Sequence, residues 1–182
     1  MISIVGLSGS LRRNSFNTGL LLAAHEVLPK NTSLRIESIA DIPLYNADDE
    51  STSGIPTPVA ALKDSIAESD ALLISTPEYN HSIPGVLKNA IDWLSRPPDD
   101  RSRVFANRPV AIMGAAPGRY GTLLSQTAWL PALHSLGMRC WNGRMLVSGA
   151  GSLFDEDGKL QDDDTHQRLE KFLADFVGFV RS

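Results

Sequence analysis

Residues 2–18 read ISIVGLSGSLRRNSFNT, and this stretch decides the fold. It opens with a short apolar run over residues 2–7, which is typical of a β-strand. Residues 8–18 are crowded with hydroxyl, amide and guanidinium groups. An amphipathic pattern then runs over residues 17–28 and stops at Pro29, as a helix does. The stretch therefore predicts a strand, a polar loop and a helix in that order.

The same strand-and-helix unit recurs along the chain. Further strands are predicted at 34–39, 71–75, 110–113 and 139–147, and further helices at 56–68, 84–94, 122–136 and 165–180. Parallel strands need crossover helices, and these crossovers are right-handed. The pattern therefore predicts an α/β fold of three layers. Its centre is a doubly wound, five-stranded parallel sheet of the flavodoxin-like order 2-1-3-4-5.

Length, charge and cysteine content narrow the class of protein. The 182 residues contain no linker or repeat, so residues 1–182 are expected to form a single domain. The net charge of −4 offers no electrostatic footprint for nucleic acid, and the one cysteine excludes an internal disulfide. The apolar run at residues 1–7 is too short for a signal sequence or a membrane span. We expect a cytoplasmic protein with no nucleic-acid or membrane partner.

Two local features carry further expectations. Pro131 lies inside the predicted helix at 122–136 and is expected to kink or interrupt it, because proline has no N–H to donate. The acidic groups at 48–50 and 162–164 are interpreted as solvated charges of a loop and of a helix start, not as metal sites. The four histidines lie far apart without metal-ligand spacing, so no metal site is expected.

The loop after the first strand has the composition of a phosphate site. The hydroxyl, amide and guanidinium groups of residues 8–18 lie at the start of a helix, where unpaired N–H groups and the helix dipole favour an anion. Hydroxyls can donate to phosphate oxygens, and arginine adds charge with bidentate geometry. The alternative is a polar loop with Asn14 or Ser15 as an ordinary cap. No Walker lysine or Gly-x-Gly-x-x-Gly turn is present, which favours a mononucleotide.

Two further loops follow strands of the predicted sheet. Residues 76–85 read TPEYNHSIPG, and the ring of Tyr79 with its neighbouring backbone groups suits a planar heterocycle. A purely structural turn is an equally good interpretation of that loop. Residues 114–122 read GAAPGRYGT and are small enough for the backbone to approach a ligand closely. Ligands bind at the carboxyl ends of parallel strands, so the three loops are expected to converge there.

These segments carry a resemblance to a known family. The pattern Gly9-Ser10-Leu11-Arg12-x-x-Ser15-x-Asn17, the segment at 41–45 and the run at 76–96 are similar to those of NADPH-dependent FMN reductases. Among these proteins the chain resembles the bacterial quinone and chromate reductases. The resemblance implies FMN as the cofactor and NADPH or NADH as the co-substrate. It also implies a homodimer or homotetramer.

The resemblance further implies which residues contact FMN. The phosphate would be held around Ser10, Arg12, Ser15, Phe16 and Asn17. The isoalloxazine would be lined, largely through backbone groups, by Pro77, Glu78, Tyr79 and Asn80, with Ala116, Pro117 and Gly118 on its other side.

The implied activity is ping-pong hydride transfer from NAD(P)H through FMN to a small-molecule acceptor such as a quinone or a flavin. Flavin supplies the redox chemistry in such a cycle, so no catalytic side chain is predicted. The alternative is a flavodoxin-like electron carrier without its own nicotinamide site. Arg12 and Arg13 argue against a carrier of very low potential, because positive charge stabilises the reduced anionic flavin. The residues that bind the NADPH phosphate stay open.

Overall fold

Five parallel strands form one sheet in the order β2-β1-β3-β4-β5. The computed structural model describes all 182 residues. The strands are β1 (Ile2–Ser8), β2 (Thr32–Glu37), β3 (Ala71–Ser75), β4 (Pro109–Ala115) and β5 (Arg139–Val147). The predicted fold class and strand order are confirmed.

The chain has seven α-helices, and all except the second bury residues in the cores on the two faces of the sheet. They are α1 (Phe16–Glu26), α2 (Ala47–Ser53), α3 (Thr57–Ala67), α4 (Gly85–Leu94), α5 (Arg101–Phe105), α6 (Leu123–Ser135) and α7 (Asp163–Arg181). Alternate residues of one strand enter different cores: Leu73 packs with residues of α1 and α7, whereas Leu72 packs with residues of α3, α4 and α6. None of the seven helices combines the length and apolar character that crossing a membrane requires.

The acidic group at 48–50 forms the first turn of a helix that the sequence did not predict. Asn46 caps α2, since its Oδ1 accepts the N–H of Asp48 at 3.0 Å. Glu50 accepts a hydrogen bond from the Tyr45 hydroxyl at 2.9 Å and pairs with Arg96 Nε at 2.9 Å. The placement of this group in a loop is therefore wrong. Asp48 and Asp49 are exposed as expected, whereas Arg96 binds Glu50 from a distant part of the chain.

Pro131 does not interrupt α6, which is continuous from Leu123 to Ser135. Trp129 and Leu133 lie on either side of the proline, and both side chains are fully buried. Packing of these large residues into the core holds the helix together where one backbone hydrogen bond is missing. The expected interruption is therefore wrong.

The segment at 41–45, which contributed to the resemblance, is fastened to α4. Asn89 accepts the N–H of Tyr45 at 2.8 Å and donates to the carbonyl of Pro43 at 2.8 Å. Trp93 Nε1 donates to the same carbonyl at 2.9 Å, and its ring meets that of Tyr45 edge-on with centroids 5.0 Å apart. The residues of this segment therefore stabilise the fold.

A buried lysine organises the region between α3 and α5. Lys63 is 3% exposed, donates to the carbonyl of Arg96 at 2.6 Å and pairs with Asp100. Arg103 Nε binds the same carboxylate at 2.7 Å. The hydrogen bonds from Arg103 and Lys63 lower the pKa of Asp100 to about 2.

This cluster predicts a loss of stability in acid. The pKa of Asp100 is lower in the folded chain than in the unfolded chain, so its stabilisation is present above about pH 4 and is lost as the pH falls towards 2. We expect the urea midpoint of the wild type to fall between about pH 5 and about pH 2.5 by more than that of Asp100→Asn. Equal falls in the two proteins would show that the cluster contributes nothing to this dependence.

Candidate cofactor-binding site

The β1–α1 loop surrounds the N-terminus of α1 with unpaired donors. Ser15 caps the helix, because its Oγ accepts the N–H of Asn17 at 3.2 Å. The backbone N–H groups of residues 13–16 donate to no acceptor in the protein. Free N–H groups at the positive end of a helix dipole form an anion-binding concavity.

Two guanidinium groups accompany these donors. Arg12 packs over the ring of Phe16 at 4.8 Å from its centroid. Neither Arg12 nor Arg13 forms an ion pair, and both are exposed. The loop therefore offers positive charge that no carboxylate compensates, which suits a phosphate dianion.

Asn17 ties the loop to the sheet. Its Oδ1 accepts the N–H of Ala115 at 3.0 Å and the hydroxyl of Ser75 at 3.2 Å, and its Nδ2 donates to the carbonyl of Ala115 at 3.0 Å. The residue is 3% exposed. These bonds join the first turn of α1 to the ends of β3 and β4. They leave the Asn17 side chain one amide hydrogen with which it could contact a phosphate.

The loop after β3 contains a tight two-residue turn. Tyr79 and Ser82 exchange backbone hydrogen bonds at 3.2 and 3.0 Å, and Asn80 and His81 between them have φ values of 51° and 60°. This is the pattern of a type I′ hairpin turn, whose left-handed conformation asparagine tolerates better than histidine. The turn holds the ring of Tyr79 half exposed beside the β1–α1 loop.

Glu78 connects this loop to α6. Its Oε2 accepts the N–H groups of Leu124 at 2.8 Å and Ser125 at 3.1 Å, whereas Thr122 at the helix start makes no side-chain capping bond. The carboxylate thus satisfies donors that the helix leaves free and lies at the positive end of its dipole. A ring bound at this loop would meet Glu78 through its backbone.

Gly9 lies where the first two loops touch. Its N–H donates to the carbonyl of Ser75 at 2.8 Å. A Cβ at this position would lie 2.8 Å from Pro77 Cδ and 2.9 Å from Pro84 Cγ, closer than carbon atoms approach in proteins. Only glycine lets the two loops pack this closely.

The three loops surround one cavity of about 270 Å³ at the carboxyl ends of the strands. Ten of the twelve residues predicted to bind FMN line it: Ser10, Arg12, Ser15, Phe16, Asn17, Pro77, Glu78, Tyr79, Ala116 and Pro117. Ala115 also lines it and was not predicted. The other two predicted residues lie outside the lining: Asn80 at the tip of its turn, and Gly118 with its carbonyl bound to the N–H of Gly149 at 3.3 Å.

The cavity lies at the topological switch point of the sheet, since β1 is bordered by β2 on one side and β3 on the other. Its donors fit a mononucleotide phosphate, and the space between Tyr79 and the small residues at 115–117 fits a planar ring. This fold and this site define the class of flavodoxin-like proteins that bind FMN.

The family follows from comparison with known proteins. Residues 2–151 match the NADPH-dependent FMN reductase family. The chain belongs to this family, and it is an NAD(P)H-dependent FMN oxidoreductase. The suspected family and the expected cofactors are thereby confirmed.

Individual relatives are similar over nearly their whole length. The chain is 40% identical over 181 residues to an NAD(P)H-dependent FMN reductase of Pseudomonas aeruginosa, covering 99% of this chain and 96% of that one. It is 38% identical over 180 residues to a quinone reductase of Pseudomonas putida, covering 98% and 95%. Among solved structures, the flavoenzyme NAD(P)H:(acceptor) oxidoreductase FerB of Paracoccus denitrificans superposes with a TM-score of 0.87 at 31% identity, covering 100% of this chain and 98% of that one.

Proposed function

We propose that residues 1–182 form a single FMN-binding domain that reduces quinones with NAD(P)H, and that related acceptors such as free flavins enter the same site. The observation that carries this proposal is the set of unpaired N–H groups at residues 13–16 beside the uncompensated charge of Arg12. The quinone is favoured as acceptor because relatives of nearly equal length, such as that of Pseudomonas putida, are quinone reductases.

The phosphate of FMN would bind at the start of α1. Ser10, Arg12 and Ser15 line the cavity there with Phe16, and Asn17 fixes the loop against β4. Arg12 would supply the charge that the backbone donors lack.

The isoalloxazine would lie between the other two loops. Pro77, Glu78, Tyr79 and Asn80 would present backbone groups and the Tyr79 ring on one side, and Ala116, Pro117 and Gly118 would border the other side. Asn80 and Gly118 do not line the cavity, but they belong to the same two loops and would lie next to the residues that contact the ring.

Bound FMN would supply the redox chemistry that links hydride donation by NAD(P)H to two-electron, two-proton reduction of the acceptor. The role of this chain's own residues is to bind FMN and the substrates and to orient them. Glu78, the only carboxylate on the cavity, is held by the N–H groups of α6, and the His81 ring is 83% exposed on the turn. We assign no acid or base to these side chains, because hydride transfer through FMN requires none.

The proposal includes self-association as a homodimer or homotetramer in the cytoplasm, where NAD(P)H is available. Apolar side chains stand exposed on the loops that border the cavity: Leu11, Tyr79 and Tyr120, which are 51%, 50% and 75% exposed, with Leu124 at the start of α6. A second copy would cover this surface. Light scattering on the purified protein should give two or four chains per particle.

Anaerobic reduction distinguishes a reductase from an electron carrier. We expect the FMN-loaded protein to lose its oxidised-flavin absorbance within seconds of adding NADPH or NADH, and to regain it on addition of 1,4-benzoquinone. Reduction that takes many minutes would instead favour a carrier without a nicotinamide site. A protein that binds no FMN even after reconstitution would refute both functions.

A further inference from the structure

A second cavity, of about 310 Å³, opens on the other side of the β1–α1 loop. It lies between this loop and the carboxyl end of β2, where residues 36–40 form its far wall. Ser10 and Arg12 line both cavities, so the two spaces adjoin. The proposed binding of FMN in the first cavity does not account for this second cavity.

The loop side of the second cavity is polar and positively charged. Ser8 and Ser10 contribute hydroxyl groups, and Thr18 Oγ1 donates to Ser8 Oγ at 2.9 Å. Arg12 leans on Phe16 of the first cavity, whereas the guanidinium of Arg13 makes no hydrogen bond, ion pair or aromatic contact. Arg13 is therefore a free cation available to a ligand in this cavity.

The single carboxylate of the cavity is already compensated. Glu37 ends β2, and in dinucleotide-binding folds an acid at the corresponding strand end binds the ribose 2′-hydroxyl of NAD. Here Glu37 Oε1 accepts the hydroxyl of Ser65 at 2.6 Å and pairs with Arg35 Nε at 3.0 Å. Arg35 thus offsets part of the charge of Glu37, and Arg13 remains without a carboxylate partner.

We propose that the second cavity binds the adenosine 2′-phosphate of NADPH, and that Arg13 makes the protein prefer NADPH to NADH. The inference rests on the proposed function, because the ligand is the electron donor of that reaction. Because the two cavities adjoin, one dinucleotide can extend along the carboxyl ends of the strands from the second cavity towards the first. A ribose phosphomonoester is the one group that distinguishes NADPH from NADH, and a free guanidinium recognises it.

Binding without turnover gives the first test. The FMN-loaded protein is titrated with adenosine 2′,5′-bisphosphate, with AMP and with inorganic phosphate in a calorimeter. We expect the bisphosphate to bind about tenfold more tightly than AMP, as one charge-assisted hydrogen-bonded pair allows. Arg13→Ala should abolish this difference, and Arg101→Ala, which removes an exposed and unpaired arginine of α5, should preserve it.

Two outcomes of the titration would overturn the proposal. Equal affinity for the bisphosphate and AMP would show that the 2′-phosphate is not recognised. Binding of inorganic phosphate as tight as that of the bisphosphate would show that the cavity takes a free anion and not the nucleotide.

Steady-state kinetics give the second test. Arg13→Ala should lower the ratio of kcat/KM for NADPH to that for NADH by about tenfold. An unchanged ratio would overturn the inference and leave the proposed function standing, whereas a protein reduced by neither nucleotide would refute the function itself. The FMN content of each variant is measured in parallel, because loss of FMN from Arg13→Ala would place Arg13 at the cofactor phosphate and overturn its assignment here.

Discussion

Replacing Arg12 with alanine is expected to weaken FMN binding about ten- to hundredfold while the free energy of unfolding changes by less than about 1 kcal/mol. The guanidinium is exposed and forms no ion pair, and its side-chain contact within the protein is the packing over the Phe16 ring. It lies beside the unpaired N–H groups of residues 13–16, where a phosphate would gain a charge-assisted bond. Fluorescence titration of the apoprotein with FMN measures the affinity, and urea unfolding measures the stability.

Arg119→Ala is the matched control for this prediction. Arg119 is an exposed arginine on the loop after β4, outside the lining of the first cavity, and it forms no ion pair. Its loss changes the net charge equally and should leave FMN affinity unaltered. If Arg12→Ala retained wild-type affinity, the phosphate would have to bind elsewhere than at the start of α1.

Replacing Asn17 with alanine should cost about 3 kcal/mol of unfolding free energy and lower the FMN content of the purified protein. The substitution leaves the N–H and carbonyl of Ala115 and the hydroxyl of Ser75 without their partner in a buried region. Unsatisfied buried groups lose the solvation that they had in the unfolded chain. Urea unfolding monitored by circular dichroism checks the stability, and absorbance per chain checks the flavin.

Asn14→Ala provides the comparison, because it removes the same type of side chain from the loop that leads into α1. Asn14 donates one bond to the carbonyl of Glu156, at 2.7 Å and in an exposed position. Its loss should cost less than about 1 kcal/mol. Similar losses of unfolding free energy in the two variants would show that Asn17 stabilises the fold no more than Asn14 does.

The sheet could be predicted from the sequence because each buried parallel strand is a short apolar run that is recognisable from its local composition alone. The apolar runs at 71–75 and 110–113 lie within β3 and β4, as their composition indicates. The strand predicted at 34–39 instead occupies Thr32–Glu37, since pairing of Thr32 and Ser33 with β1 extends it over polar residues. Helix α2 could not be found, because none of its residues is buried and Asn46 and Arg96 hold it from outside.

The site was predictable where it follows from topology and unpredictable where it depends on long-range bonds. Parallel strands bring their carboxyl ends to one edge, so the three loops were expected to meet, and they do. Nothing local indicates that Glu78 caps a helix 46 residues further on, or that the Asn17 amide binds β4. The polar residues of a loop are visible in a sequence, but the groups they bind depend on the completed fold.

The close contact at Gly9 affects how the site binds a planar ring. Because Gly9 sits directly against Pro77 and Pro84, the first two loops are immobilised relative to each other when the chain folds. The conformational entropy of the ring-binding surface is then lost during folding and need not be lost again on association. We therefore expect FMN to bind a preorganised site, in which the close packing at Gly9 fixes the phosphate-binding loop against the loop that carries Tyr79.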